Sequence, residues 1–147
     1  LQTVAGDADF EAAPDARRVR VSECQPAVVS GNAALLHSAL ENVVRNAVRH
    51  TPTDSVVELS LTRDPAQPGW ALIQVRDHGS GVPQDMLPKL FEPFVRVGEA
   101  RDRASGGVGL GLAIAERAVR LHGGQVSARN EPDGGLSVVL RLPVGRE

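Results

Sequence analysis

At 147 residues, 41% hydrophobic, the chain is near the commonest domain size and long enough to bury about 68–70% of its unfolded surface, which predicts one domain with its own core. A net charge of −2 and an aromatic share of 3% exclude a nucleic-acid surface built on phosphate attraction and base stacking. Cys24 is the single cysteine, which excludes a disulfide framework or cysteine-based zinc site, and His37, His50, His78 and His122 lack the spacing of a helical metal pair. No run of about 18 apolar residues and no signal peptide is visible. The start at Leu1 rather than Met suggests a fragment of a longer protein, and a cytosolic, reducing setting is the default expectation.

In chain order, Arg17–Ser22 and Pro26–Ser30 are predicted as short strands. Asn32 is placed to cap a helix over Ala33–His50, which Thr51-Pro52 ends. Ser55–Thr62 and Trp70–Asp77 alternate like half-buried strands, with Val57, Leu59 and Leu61 on one face of the first and Ala71, Ile73 and Val75 on one face of the second. Pro83–Phe91 is predicted as a short helix, and Val97–Gly107, polar and aperiodic, as a mobile loop. An amphipathic helix follows over Leu110–Leu121. Gln125–Asn130 and Gly135–Leu142 form a hairpin around Glu131-Pro132-Asp133-Gly134. With no internal repeat or linker, the pattern is that of one α/β domain.

On the Ala33–His50 helix, Leu36, Leu40, Val43, Val44, Ala47 and Val48 share an arc that should face a sheet. Asn42, Asn46 and Arg49 cluster on the other side, flanked by Ser38 and Arg45. Two asparagines one turn apart are poor choices for a merely solvated face. Their amide oxygens suit a hard cation such as Mg²⁺, and Arg49 one turn on can reach a phosphate. Glu41 has two uses open to it: an i,i+4 partner for Arg45, or a carboxylate beside Asn42 that orients water or a phosphoacceptor.

Two glycine loops complete the pattern. Asp77-His78-Gly79-Ser80-Gly81 offers a carboxylate for the amino group of a base and a backbone that can pass close to a ring. Gly106-Gly107-Val108-Gly109-Leu110-Gly111-Leu112 opens a helix, where unpaired N–H groups suit a phosphate. Together they suggest a nucleotide held at both ends. A P-loop is excluded because the single lysine, Lys89, lies between Pro88 and Leu90. The late G-x-G-x-G spacing also fails the dinucleotide fingerprint.

These segments resemble the motifs of the sensor histidine kinases. Asn42-x-x-x-Asn46 is similar to their N box, Asp77-x-Gly79-x-Gly81 to their G1 box, Phe91-Glu92-Pro93-Phe94 to their F box, and Gly107-x-Gly109-Leu110-Gly111-Leu112 to their G2 box. All stand in family order. Ala8-Asp9-Phe10-Glu11-Ala12 and Glu99-Ala100-Arg101-Asp102-Arg103 resemble, more narrowly, the envelope-stress sensors of the Cpx type.

The resemblance implies an α/β fold of the Bergerat type, a two-layer sandwich with a mixed sheet covered on one face by helices. It implies ATP with Mg²⁺ as cofactors. Asp77 would read the adenine amino group, with Gly79 and Gly81 beside it. Asn46 would hold Mg²⁺ with Asn42 close by. Val97–Val108 would be an ATP lid, and Gly107, Gly109, Leu110 and Gly111 would bring backbone amides to the phosphates. Arg49 and Arg96 would be phosphate contacts, Arg101 and Arg103 charged residues of the lid, and Phe91 and Phe94 lid anchors packed on the domain. Asn42 and Glu41 would complete the catalytic set.

Val108 stands where the family often has Thr, which removes a hydroxyl near the phosphates. His50 stands where an aromatic residue is common. No histidine here is followed by an acidic residue, so the phosphoacceptor motif is missing. The chain is therefore expected to bind ATP but not to autophosphorylate alone. Its expected partners are its own dimerisation and phosphoacceptor hairpin and a response regulator, with no nucleic acid and no direct membrane contact. The full-length protein would be a membrane-anchored homodimer of the bacterial inner membrane, with this part cytoplasmic. Two alternatives stand beside this: a nucleotide-sensing module without transfer, and another ATPase of the same superfold, such as an anti-sigma-factor kinase. Gyrase-like members usually place a catalytic Glu four residues before the metal-binding Asn; Asn42 holds that position here.

Overall fold

The computed structural model of the protein describes residues 1–95 and 110–145. Five strands, β1 (Arg18–Cys24), β2 (Val56–Arg63), β3 (Trp70–Arg76), β4 (Gln125–Asn130) and β5 (Leu136–Pro143), form one mixed sheet in the order β1-β2-β3-β5-β4. β1 and β2 pair in parallel and every other neighbour is antiparallel. A parallel pair needs a long crossover, and helix α2 (Ala33–His50) supplies it. The period-2 pattern becomes a continuous apolar row, Val21–Leu59–Val75–Val138–Ala128, with Leu61–Ile73–Leu140–Val126 beside it. Helices α1 (Gln2–Ala12), α2 and α3 (Gly111–Leu121) cover that face, and their buried side chains join those of the strands in one cluster. The result is a two-layer α/β sandwich.

Helix α2 has the bounds expected from the sequence. The side chain of Asn32 accepts the Leu35 amide at 3.1 Å. Ala39, Val43, Val44 and Ala47 are buried, while Leu36, Leu40 and Val48 pack on the core half-buried.

Three expectations need correction. Pro26–Ser30 is not a strand: Pro26 has no N–H for a ladder, and the segment instead accepts bonds, from Arg63 Nε to the Pro26 carbonyl at 3.0 Å and from the Gly145 amide to the Val28 carbonyl at 2.6 Å. The predicted Pro83–Phe91 helix is a 3₁₀ segment over Gln84–Lys89 containing Pro88, whose ring cannot continue an α-helix. The last strand begins at Leu136 rather than Gly135, because Gly135 has φ +92°, outside the strand region.

Helix α1 was not among the predicted elements. Its buried residues are Val4, Ala5, Ala8 and Ala12, a face of small side chains that gives little periodic signal. It is tied to β1 by Asp9, which accepts Arg18 Nε at 2.8 Å, Arg18 Nη2 at 3.1 Å and the Val19 amide at 2.9 Å. No helix among the described residues is long and apolar enough to cross a membrane.

Candidate functional site

Asp77 follows the last residue of β3 and is 3% exposed. Its amide donates to the Leu136 carbonyl at 3.0 Å, and its Oδ1 accepts the amides of Gly79 at 2.9 Å and Leu136 at 3.1 Å. One carboxylate oxygen thus fixes the acid between the following loop and β5. The loop passes so close to the end of α2 that a Cβ on Gly79 would lie 2.4 Å from the His50 carbonyl oxygen. Gly81, with φ +76°, sits against Asn130. Of the three residues expected here from the sequence, Gly79 lies against the end of α2, Gly81 against Asn130 at the end of β4, and Asp77 is bonded between Gly79 and Leu136.

Two residues that sequence reasoning did not assign to the site hold this loop. Thr51 is 1% exposed, and its Oγ1 accepts the His78 amide at 3.2 Å. Asn130 at the end of β4 accepts the Val82 amide at 2.9 Å and donates to the Val82 carbonyl at 2.6 Å. The signal for Thr51 was its β-branched hydroxyl directly after a helix; that for Asn130 was an amide at a strand end. Neither names a partner 27 or 48 residues away.

On α2, Asn42 and Asn46 are half-buried and Arg49 is exposed. Asn42 packs against the start of α3: a Cβ on Gly111 would meet its Oδ1 at 3.6 Å. The helix that carries the asparagines and the glycine that opens α3 are therefore neighbours, and Leu110, half-buried, precedes α3. Among the described residues no side-chain hydrogen bond engages either asparagine amide, and no group of three His, Cys, Asp or Glu is placed to hold a metal. A cation here would rely on amide oxygens together with ligand phosphates and water, which suits Mg²⁺.

Glu41 lies in a different string of charges. Its Oε1 is 2.6 Å from His37 Nε2 and its Oε2 is 3.5 Å from Arg45 Nη2, which also lies 3.8 Å from Glu11 of α1. The i,i+4 pairing with Arg45 is present. Phe91 packs on the core half-buried, whereas Phe94 is 72% exposed at φ +66°, so only the first is an anchor packed on the domain. Arg96, Arg101, Arg103, Gly107, Val108 and Gly109 lie outside the described residues, as does the predicted loop over Val97–Gly107.

The rim of the site is held by charge. Arg76, which precedes Asp77, places Nη2 2.6 Å from Asp133 Oδ1 and holds that carboxyl below its usual range. The Ser137 hydroxyl, with Arg129 next, lowers Glu131 in the same way. The Arg76–Asp133 pair fastens the β4–β5 turn to the end of β3, and the Glu131 bonds brace the hairpin internally.

Residues 31–146 match the family model described as histidine kinase-, DNA gyrase B-, and HSP90-like ATPase. The sensor histidine kinase CpxA of Escherichia coli is 46% identical over 114 residues, 78% of this chain and 24% of that protein. The chain thus spans about a quarter of the length of that curated relative. The mycobacterial sensor histidine kinase MprB superposes with a TM-score of 0.82 at 26% identity, covering 99% of this chain and 95% of that one. The ATP binding domain of PrrB from Mycobacterium tuberculosis gives a TM-score of 0.71 at 32% identity, covering 98% and 93%.

Proposed function

The chain belongs to the histidine kinase-, DNA gyrase B-, and HSP90-like ATPase family, and on that premise we propose that it is the catalytic ATP-binding domain of a two-component sensor histidine kinase. The observation that carries the proposal is the buried Asp77 carboxylate. Its Oδ1 is held by the Gly79 and Leu136 amides, so its second oxygen is the one left to accept the exocyclic amino group of adenine. The triphosphate extends from there along α2 toward the opening of α3.

In this proposal Asn46, with Asn42 close by, holds Mg²⁺, which when bound neutralises phosphate charge. Arg49 and Arg96 contact phosphate, and the amides around Gly107, Gly109, Leu110 and Gly111 cradle it. Asn42 lines the reacting end, and Glu41, already bound to His37 and Arg45, serves as an orienting carboxylate. The γ-phosphoryl group is presented to a histidine on the protein's own dimerisation hairpin and passes on to a response-regulator aspartate. Positioning and charge neutralisation supply most of the catalysis in such transfers. The full-length protein is proposed as a membrane-anchored homodimer with this domain on the cytoplasmic side.

The test is to mix the chain with a separately purified phosphoacceptor hairpin and ATP·Mg²⁺ and to measure phosphohistidine. Transfer supports the kinase. Binding without transfer would favour a nucleotide-sensing module, and failure to bind ATP would reject both.

A further inference from the structure

Among the described residues three polar or charged side chains are buried: Asp77, Ser137 and Thr51. Asp77 belongs to the site, and Ser137 is engaged between Glu131 and Gln74 in the sheet. Thr51 has no such explanation. We propose that Thr51 is a positioning residue for base recognition: its hydroxyl holds the loop after Asp77 in the geometry that lets the carboxylate read an adenine amino group. The inference rests on the function proposed above.

Ending α2 requires only the backbone of Thr51, and that backbone is satisfied. Its amide donates to the Ala47 carbonyl at 2.9 Å, and its carbonyl accepts Arg17 Nε at 2.9 Å. The hydroxyl does something separate. Its Oγ1 lies 2.5 Å from Ser55 Oγ at the entry to β2 and accepts the His78 amide at 3.2 Å. The neighbouring His50 carbonyl lies directly under Gly79. The last residues of α2 thus form a floor for His78 and Gly79, and the Gly79 amide is one of the two that hold Asp77 Oδ1. At its far end the loop is fixed by Asn130 on Val82.

Without the Thr51 hydroxyl the His78 amide loses its acceptor, and the loop can rise from the floor while still tethered at Val82. The effect falls on the atoms that face the base rather than on those that face phosphate. That separates a positioning role from a merely structural one, which would weaken every nucleotide alike.

The experiment compares the native chain, Thr51→Val and Thr51→Ser for binding of two probes, ATP·Mg²⁺ and inosine triphosphate·Mg²⁺, whose base has a carbonyl where adenine has its amino group. We expect the native chain to prefer ATP. Thr51→Val should lose about tenfold in ATP affinity, equivalent to about 1.4 kcal/mol, with little change for the inosine nucleotide. Thr51→Ser, which keeps the hydroxyl, should restore the preference. An unchanged ratio of affinities in Thr51→Val, or an equal loss for both nucleotides, overturns the inference while leaving the proposed function intact. A native chain that does not distinguish the two nucleotides overturns base reading by Asp77 itself. Should Thr51→Val fail to fold, Thr51→Cys supplies the same comparison, since a thiol is a weak acceptor of similar size.

Discussion

The imidazole of His122 accepts the backbone amide of Asn32 through Nε2 at 2.9 Å and so joins the end of α3 to the start of α2. Its Nδ1 lies 2.7 Å from the Ala118 carbonyl, which can only accept, so the ring is the Nδ1–H tautomer. Asn32 in turn caps α2 through its side chain. The helix bearing Asn42 and Asn46 and the helix opened by Gly111 are thereby held together away from the site itself.

Replacing His122 with Ala leaves the Asn32 amide without this acceptor and opens space beside Gly31, on which the ring packs. Because the Asn32 amide is exposed and water can replace the lost acceptor, the expected cost is about 0.5–1.5 kcal/mol. For a chain of this size each kcal/mol lowers Tm by about 2–4 °C. Thermal unfolding followed by circular dichroism checks this, and an unaltered Tm would show that the helix-to-helix bond contributes nothing.

Asp77→Asn separates folding from recognition. The amide oxygen of Asn can still accept the Gly79 and Leu136 amides that Oδ1 accepts now, so stability should change by less than about 1 kcal/mol. The second carboxylate oxygen becomes an NH₂ donor facing the donor amino group of adenine. ATP affinity should therefore fall at least about tenfold, or about 1.4 kcal/mol. Calorimetry with a non-hydrolysable analogue measures it; undiminished binding would remove Asp77 from the site.

Asn46→Ala should abolish most of the gain in ATP affinity that Mg²⁺ confers, while affinity in excess chelator stays near that of the native chain. The reason is that its amide oxygen has no competing hydrogen bond among the described residues, and Mg²⁺ takes oxygen ligands. Equal losses with and without metal would point to a packing role for Asn46 instead.

The parts of this molecule that were legible in the sequence are those where one residue's chemistry suffices. Helix α2 carries its apolar arc within its 18 residues and its cap and stop in the residues directly flanking them, Asn32 and Thr51, and Asp77, Gly79 and Gly81 advertise a tight loop by type alone. Thr51 and Asn130 were not legible as site residues because their meaning lies in contacts with His78 and Val82 from other elements. Helix α1 escaped for a different reason. Its buried face is built of Val4 and three alanines, and Gly6 interrupts a segment whose attachment depends on Asp9 meeting Arg18 and Val19.

That attachment has a pH signature. The Arg18 guanidinium, and then the Val19 amide, hold the Asp9 carboxyl below its ordinary value; Glu131 is lowered by Ser137 and Arg129, and Asp133 by Arg76. A carboxyl whose folded pKa is depressed gives stability that is present above its unfolded pKa, about 4. That stability is lost as pH falls through the lower folded value. The urea midpoint should therefore be level near neutrality and decline below about pH 4. Asp9→Asn should flatten that decline, and an identical acid slope in the variant would show that Asp9 contributes no such linkage.

Gly135 and Gly6 should respond to alanine in opposite directions. A Cβ on Gly135 would lie 2.1 Å from the Asp77 carbonyl oxygen, and the residue has φ +92°. Backbone lies on both sides of that clash, so the β4–β5 turn and the end of β3 would have to separate. That is the pair of elements that fixes Asp77. Gly135→Ala should destabilise the fold by more than about 1 kcal/mol and weaken ATP binding with it. Gly6 lies inside α1, where a Cβ would meet nothing within 4 Å. Gly6→Ala should stabilise by up to about 1 kcal/mol through backbone entropy alone and leave nucleotide binding unchanged. Chemical denaturation of both variants tests the pair. If Gly135→Ala were as stable as the native chain, the close approach of the turn to Asp77 would not be what holds the carboxylate in place.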